Sequence, residues 1–241
     1  MTSVYIYTYN NGVGGDVMEV TNPRYRNQGV HVVSTIFTVD KGVTKVLLIK
    51  RKYDPYSGMW ALVSGALYND EELLECILRE VKEKTGIENV HLELFDVFSK
   101  IDRSPAMRMV GIAYLGIINK NKYELLKETL RTIDAEWRDI KDIPELAFDH
   151  NEILTSAIEV LRKRIKETDL LKNLYPDGFT MPEIQKVYES ILGTSYDRRN
   201  FRKKLLSTGM IEETSRVEKF DGNKPAKIYV FKENMEDRNV F

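Results

Sequence analysis

The sequence predicts a mixed α/β domain followed by a winged helix-turn-helix domain. Three observations carry this. Between residues 31 and 139, β-branched and apolar runs are interrupted by one amphipathic helical stretch, the pattern of a mixed sheet with a helix packed on it. Near the C-terminus, two helical stretches are joined by a turn containing Gly193. Two strand-like segments then surround Asp221-Gly222-Asn223, which completes the order helix, turn, helix, hairpin.

Each element follows from local pattern. Residues 1–29 are polar, rich in Tyr and Asn, include Gly12-Val13-Gly14-Gly15, and read as an N-terminal arm. His31–Val39 alternates and is β-branched, hence a strand, and Asp40-Lys41-Gly42 is a turn. Lys45–Arg51 is apolar enough for a strand buried on both faces. Pro55 and Gly58 break the chain into a loop, and Trp60–Val63 is a short strand ending at Gly65. Glu71–Lys84 reads as a helix capped by Asp70 and closed by Thr85-Gly86, with Leu74, Ile77, Leu78 and Val81 facing inward. Further strands are expected at Val90–Ser99, Met107–Ile118 and Ala135–Asp139. Asn151–Lys166 is a helix with Ile153, Leu154, Ala157, Ile158 and Leu161 on one side, placed to connect two domains. The expected division is an arm at 1–29, a first domain at 30–150, a connecting helix at 151–166 and a winged helix domain at 167–241.

In the second domain, Pro182–Leu192 and Arg198–Ser207 are helices, while Met210–Glu213 and Lys227–Phe231 are strands. Asp197 can cap the second helix, because its carboxylate accepts the free N–H groups of a first turn. At about 100° per residue, Phe201 and Leu205 share the inward side. Arg199, Asn200 and Lys203 then point outward, and Arg198 and Arg202 flank the apolar side. Taken alone, such a run is a solvated basic face; a hairpin behind it makes it a DNA-reading helix. Residues 198–227 hold nine Lys or Arg against four acids, whereas the whole chain has a net charge of −1. Locally concentrated cations serve a phosphate backbone better than a high total does.

Composition narrows the rest. The 241 residues suit one large or two modest domains, with 42% hydrophobic residues to fill a core. Cys76 is the single cysteine, so no internal disulfide forms, which fits a reducing, cytoplasmic setting. No apolar run approaches a membrane span and no signal-peptide pattern opens the chain. Cys76 falls beside the acidic side of its helix and reads as a small packing residue.

Gly65, Glu71, Arg79, Glu80, Val81, Glu83, Gly86 and Ile87 form the spacing G-x5-E-x7-R-E-V-x-E-K-x-G-I. It resembles the Nudix box, in which two adjacent acids follow the E-V-x position. Acids at i, i+3 and i+4 share a helix face and can gather Mg²⁺ beside a diphosphate. Here the third acid is Lys84, four residues after Glu80, in the favoured order for a helical ion pair. Its ammonium is expected to stand in for part of the metal's charge, so a diphosphate is bound but not efficiently hydrolysed. Trp60-Ala61-Leu62-Val63-Ser64-Gly65 also departs from the W-A-L-P-G-G of many relatives. Glu80 and Glu83 are the metal ligands if Mg²⁺ binds, and no cofactor is required.

Both halves together resemble the Nudix-related transcriptional regulators, represented by repressors of NAD biosynthesis. The likeness covers roughly residues 30–232, including Leu47–Arg51, Asp102–Pro105 with Arg108, Ala147–His150 and Asp197–Lys204. It implies a Nudix-fold sandwich that senses ADP-ribose, or a sugar or its phosphate, and a winged helix on DNA. By the same resemblance Arg51, Trp60, Glu80, Glu83, Arg103, Arg108 and Phe148 line the ligand pocket. Arg103 and Arg108 suit phosphate, with a surface or inter-domain ion pair as the competing reading. Trp60 and Phe148 are either core or platforms for adenine. Arg199 and Lys203 are the expected groove contacts. Asn200 shares their face, and Arg198, Arg202, Lys204, Lys219, Lys224 and Lys227 suit phosphates. The expected regulator is a homodimer on a palindromic operator. The competing readings are a Mg²⁺-dependent Nudix hydrolase of nucleoside diphosphate derivatives and a sugar sensor without diphosphate recognition.

Overall fold

The computed structural model describes residues 28–218 and 225–232. Most of the N-terminal arm, the turn at Asp221-Gly222-Asn223, and Lys219 and Lys224 lie outside the described residues.

The first domain is a seven-stranded mixed sheet. β1 (Gly29–Asp40) lies at its centre, parallel to β6 (Met109–Ile117) and antiparallel to β2 (Val43–Arg51). β5 (Glu93–Phe98) pairs with β6 at one edge, and β7 (Thr132–Asp139) pairs with β2. Alternation along β1 and β2 sorts side chains to two faces. Val32, Ile36, Leu47 and Ile49 meet α1 (Leu73–Thr85) through Ile77 and Val81. Val33, Phe37, Val46 and Leu48 meet α2 (His150–Glu167).

The short strand expected at Trp60–Val63 is two strands. β3 (Trp60–Ala61) pairs with β2, and β4 (Val63–Ala66) pairs with β1. The break falls at Leu62, whose N–H donates to His150 Nδ1 at 3.1 Å rather than to a strand. The helix start is also later than expected. Glu72, not Asp70, caps α1, and its N–H donates to Glu75 Oε2 at 2.9 Å. Glu71 is held outside the helix because its carboxylate accepts from Tyr68 N–H at 2.8 Å and from Arg79. Leu74 is 47% exposed and not on the inward face. Ile77 and Val81 are buried as expected, and the inward face also takes in Cys76, Glu80 and Lys84.

The second domain contains β8 (Phe179–Thr180), α3 (Met181–Leu192), α4 (Arg198–Ser207), β9 (Ile211–Glu218) and β10 (Ala226–Phe231). β8, β10 and β9 form a three-stranded antiparallel sheet. β9 runs five residues past the strand expected to end at Glu213, because it stays paired with β10 as far as Glu218. Helix α2 is no free connector. Its Ile153, Leu154, Ala157, Leu161 and Ile165 belong to one apolar cluster that runs from Val33 and Leu48 to Phe201 and Tyr229. Among the described residues no helix is long and apolar enough to cross a membrane.

Candidate ligand cleft and nucleic-acid interface

The cleft forms where α1 packs on β4. A Cβ on Gly65 would fall 1.9 Å from the Glu80 carboxyl carbon, so only glycine lets the two elements approach this closely. Glu80 is 1% exposed, and three cations converge on it. Lys84 Nζ is 2.7 Å from Oε2, and Arg79 Nη1 and Arg131 Nη1 are 2.7 and 3.2 Å from Oε1. Lys84 Nζ also donates to the Ser64 carbonyl. Burial pushes the Glu80 carboxyl upward, but Lys84, Arg79 and Arg131 outweigh it and hold the group below its ordinary pKa. Burial lowers the Lys84 ammonium, with Glu80 opposing. Glu71 is bound by two Arg79 nitrogens at 2.7 and 2.8 Å, which depress its carboxyl to about 2. Cys76 is fully buried, and burial with Glu71 nearby raises its thiol to about 12, so it holds no thiolate.

These donors do not fit a divalent cation. Only two of the three helix positions are acids. Glu80 is already engaged by three positive groups, and Glu83 is 42% exposed, with Oε2 3.6 and 3.7 Å from Arg79 and Arg131. A metal between them would meet two guanidinium groups and an ammonium.

Above the Lys84–Glu80 pair opens a polar cavity of about 200 Å³, walled by His31, Arg51, Ser64, Lys84 and Arg131. A second, apolar cavity of about 210 Å³ shares His31 and is walled by Pro55, Met107, Met109, Phe148 and His150, with Arg103 at its side. The two adjoin at His31 as a polar and an apolar lobe. Arg51 lines the polar one and touches the wall of the other, its guanidinium 4.9 Å from the Phe148 ring while Nε donates to the Pro55 carbonyl at 2.9 Å. Arg103 is 7% exposed and makes a two-point pair with Asp149, Nε to Oδ2 at 2.8 Å and Nη2 to Oδ1 at 3.0 Å. That pair is the competing reading for this arginine, and it clamps the residue before α2. Arg108 donates to the Lys100 carbonyl at 2.9 Å and lies outside both cavity walls. Trp60 also lies outside them. It packs against the apolar cluster, with the Arg138 guanidinium 5.3 Å from its ring.

The structure thus brings Arg51, Glu80, Arg103 and Phe148 to the cleft with Lys84, leaves Glu83 at its rim and separates Trp60 and Arg108 from it. His31, Arg131 and His150 were missed. Arg131 stands in a loop with no motif, whereas His150 closes the Ala147-Phe148-Asp149-His150 stretch and could have been singled out.

At the other end, α4 is capped by Asp197, whose Oδ1 accepts from Arg199 and Asn200 N–H at 3.1 and 3.0 Å. Phe201 and Leu205 are buried, and Arg198, Arg199, Asn200, Arg202, Lys203 and Lys204 are exposed. Arg202 and Lys227 have partners in the protein. Arg202 Nη2 donates to the Tyr229 hydroxyl at 3.0 Å, that hydroxyl donates to Glu213 at 3.1 Å, and Lys227 pairs with Glu213. This chain of bonds ties α4 to the hairpin.

Residues 29–157 match the model of the NUDIX domain, and residues 171–231 match that of the NrtR DNA-binding winged helix domain. Over 200 residues the chain is 34% identical to the ADPR responsive transcriptional repressor NtrR of Acinetobacter baylyi, covering 81% of this chain and 79% of that protein. A MutT/nudix family protein from Enterococcus faecalis superposes with a TM-score of 0.74 at 27% identity, over 88% of this chain and 89% of that one. The NUDIX domain of Shewanella oneidensis NrtR, solved with ADP ribose, superposes with a TM-score of 0.53 at 27% identity, over 58% and 93%.

Proposed function

Because the chain belongs to the Nudix proteins that carry an NrtR-type DNA-binding winged helix, we propose that it is a transcriptional repressor that binds duplex DNA and responds to ADP-ribose. The observation that carries the reading is the buried Lys84–Glu80 pair beneath the polar lobe. It keeps the cleft attractive to a diphosphate through Lys84, Arg51 and Arg131. It also puts a cation where hydrolysis would need a metal. The protein therefore binds ADP-ribose without Mg²⁺ and does not turn it over efficiently.

In this reading the phosphates sit in the polar lobe. Arg199, Asn200 and Lys203 face the major groove, and Arg198 and Lys204 face the backbone. Arg202 and Lys227 set the angle between helix and hairpin as well as adding positive potential. Two copies act as a cytoplasmic homodimer on a palindromic site, one helix per half-site. Ligand in the cleft biases the DNA-bound form through α2, which begins at the cleft wall and ends in the winged helix core.

The test has two arms. Fluorescence anisotropy on labelled duplexes at low and moderate salt should show tight, salt-sensitive binding whose affinity ADP-ribose alters about fivefold or more. A thermal-shift panel of ADP-ribose, NAD, pentoses and sugar phosphates, with and without Mg²⁺, should show a metal-independent rise for ADP-ribose. Brisk Mg²⁺-dependent cleavage of ADP-ribose, with no DNA binding at low salt, would establish the hydrolase instead.

A further inference from the structure

A concavity of about 700 Å³ opens where the first domain meets the helix-turn-helix. Its first-domain wall follows from a tight hairpin. Asp40 pairs directly with Val43, so β1 and β2 are joined by two residues. Lys41 and Gly42 take φ values of +50° and +79°, the positive pair that such a turn requires. The turn sets Gly42, Val43 and Thr44 beside the end of β7, where the Ile140 N–H donates to the Thr44 carbonyl at 3.1 Å. Lys141 follows, its N–H bound to Asp139 Oδ1 at 2.9 Å. The other wall is one face of α3 and the turn after it. Lys186, Glu189, Ser190 and Gly193 are spaced by threes and fours and therefore share that face. Thr194 and Ser195, just before α4, complete the wall.

The charges in this concavity are not equivalent. Both carboxylates are engaged by donors of the protein. Asp139 holds the Lys141 N–H, and Glu189 Oε1 accepts the Gln185 amide and the Tyr196 N–H, each at 2.9 Å. The ammonium groups of Lys141 and Lys186 have no ion-pair or hydrogen-bond partner among the described residues, and both side chains are exposed. Two available cations beside serine and threonine hydroxyls are the groups that hold nucleic-acid phosphates. Position points to the same partner. Lys186 stands on the first helix of the helix-turn-helix, the one that crosses the DNA backbone when the second lies in the groove. Ser195 precedes Arg199 by four residues, so even a fully extended chain keeps it within about 14 Å of the first turn of the basic helix. The concavity is thus continuous with the surface that carries the cations of α4.

We propose that this concavity receives the DNA backbone beside the half-site, with Lys186 from the helix pair and Lys141 from the first domain each paired to a phosphate. The inference rests on the DNA-binding reading above and adds to it a contact made by the ligand-binding domain itself. Phosphate contacts fix register and orientation without reading bases. A backbone held from both walls is sensitive to the angle between the two domains.

The probe is a labelled duplex enriched from a random pool on the full-length protein, followed by anisotropy over a range of salt. Lys141→Ala and Lys186→Ala should each reduce the slope of log affinity against log salt by about one unit, and weaken binding about fivefold or more at roughly 0.1 M salt. Neither should change Tm, since both side chains are exposed. Lys82→Ala removes an equally exposed charge from α1 and should leave the slope as it is in wild type. Phosphate-ethylation interference on the same duplex should show contacts flanking those of α4, and Lys141→Ala should lose a subset of them. Unchanged slopes in both variants would overturn the proposal, as would an equal loss of slope in Lys82→Ala. A loss with Lys186→Ala alone would confine DNA to the winged helix and overturn the part given to the first domain. Failure to recover any duplex from the pool would overturn the DNA-binding reading and this inference with it.

Discussion

In the function proposed above, Lys84 is the residue that separates ligand binding from hydrolysis. At an exposed helix position its pairing with Glu80 would contribute a few tenths of a kcal/mol. Here both partners are buried, so each depends on the other for its charge. Lys84→Glu should lower stability by on the order of 3 kcal/mol, because it removes the ammonium and adds a second buried carboxylate. The same variant should regain metal affinity, seen as a Mg²⁺-dependent rise in Tm that wild type lacks; equal responses would reject the role given to Lys84. His31, where the two lobes meet, is held at about 4 by burial, with Lys84 and Arg103 adding to the effect. The unfolded chain takes up this proton near pH 6.5 and the folded one only near 4. Its contribution to stability is therefore complete above pH 6.5 and declines as pH falls toward 4. His31→Asn should flatten the dependence of Tm on pH across that window.

Among the elements, α4 is set by its cap and its two apolar anchors. Asp197→Ala leaves two first-turn N–H groups without their carboxylate and should cost about 1 kcal/mol. The larger effect should fall on DNA affinity, since Arg198, Arg199 and Asn200 occupy that turn. Anisotropy and thermal melts on one preparation would separate the two effects. Tyr229 links α4 to the hairpin through Arg202 and Glu213. Tyr229→Phe keeps the ring in the core but frees the helix from the wing. It should weaken DNA binding with little change in the number of ions released, which a plot of log affinity against log salt would show as an unchanged slope.

For the whole molecule, the decisive feature is one apolar cluster that runs through both domains. The concavity of about 700 Å³ also lies between them, where Thr44 Oγ1 meets Ser190 Oγ at 2.7 Å. Its lining shares no residue with the Lys84 cleft, whereas α2 begins at the cleft wall and its last turns pack in the winged helix core. Arg103 clamps Asp149 at its start, and the buried Tyr188 hydroxyl donates to the Ile165 carbonyl near its end at 2.9 Å. Tyr188→Phe should loosen that second anchor. The factor by which ADP-ribose changes DNA affinity should shrink, and linkage requires the same loss when DNA-dependent changes in ADP-ribose affinity are measured. An unchanged factor in both directions would remove α2 from the coupling.

Most of the strand and helix order, short of the break at Leu62 and strand β8, was legible in the sequence, as were the box and the basic helix with its cap, because these are matters of short-range period and spacing. Helix α4 was legible to its last residue, since Asp197 and the Phe201–Leu205 pair fix its start and its face within one segment. Ile77 and Val81 face inward as local pattern expects, but tertiary packing set how far round α1 the buried side extends. The approach of Gly65 turns Glu80 and Lys84 inward and leaves Leu74 in solvent, against what local hydropathy favours. It likewise decided that Arg131 joins the cleft, that Arg103 is committed to Asp149 and that His150 accepts the Leu62 N–H. Each depends on a partner at least 46 positions away in sequence, Glu80, Asp149 and Leu62 respectively, and no local pattern carries that information.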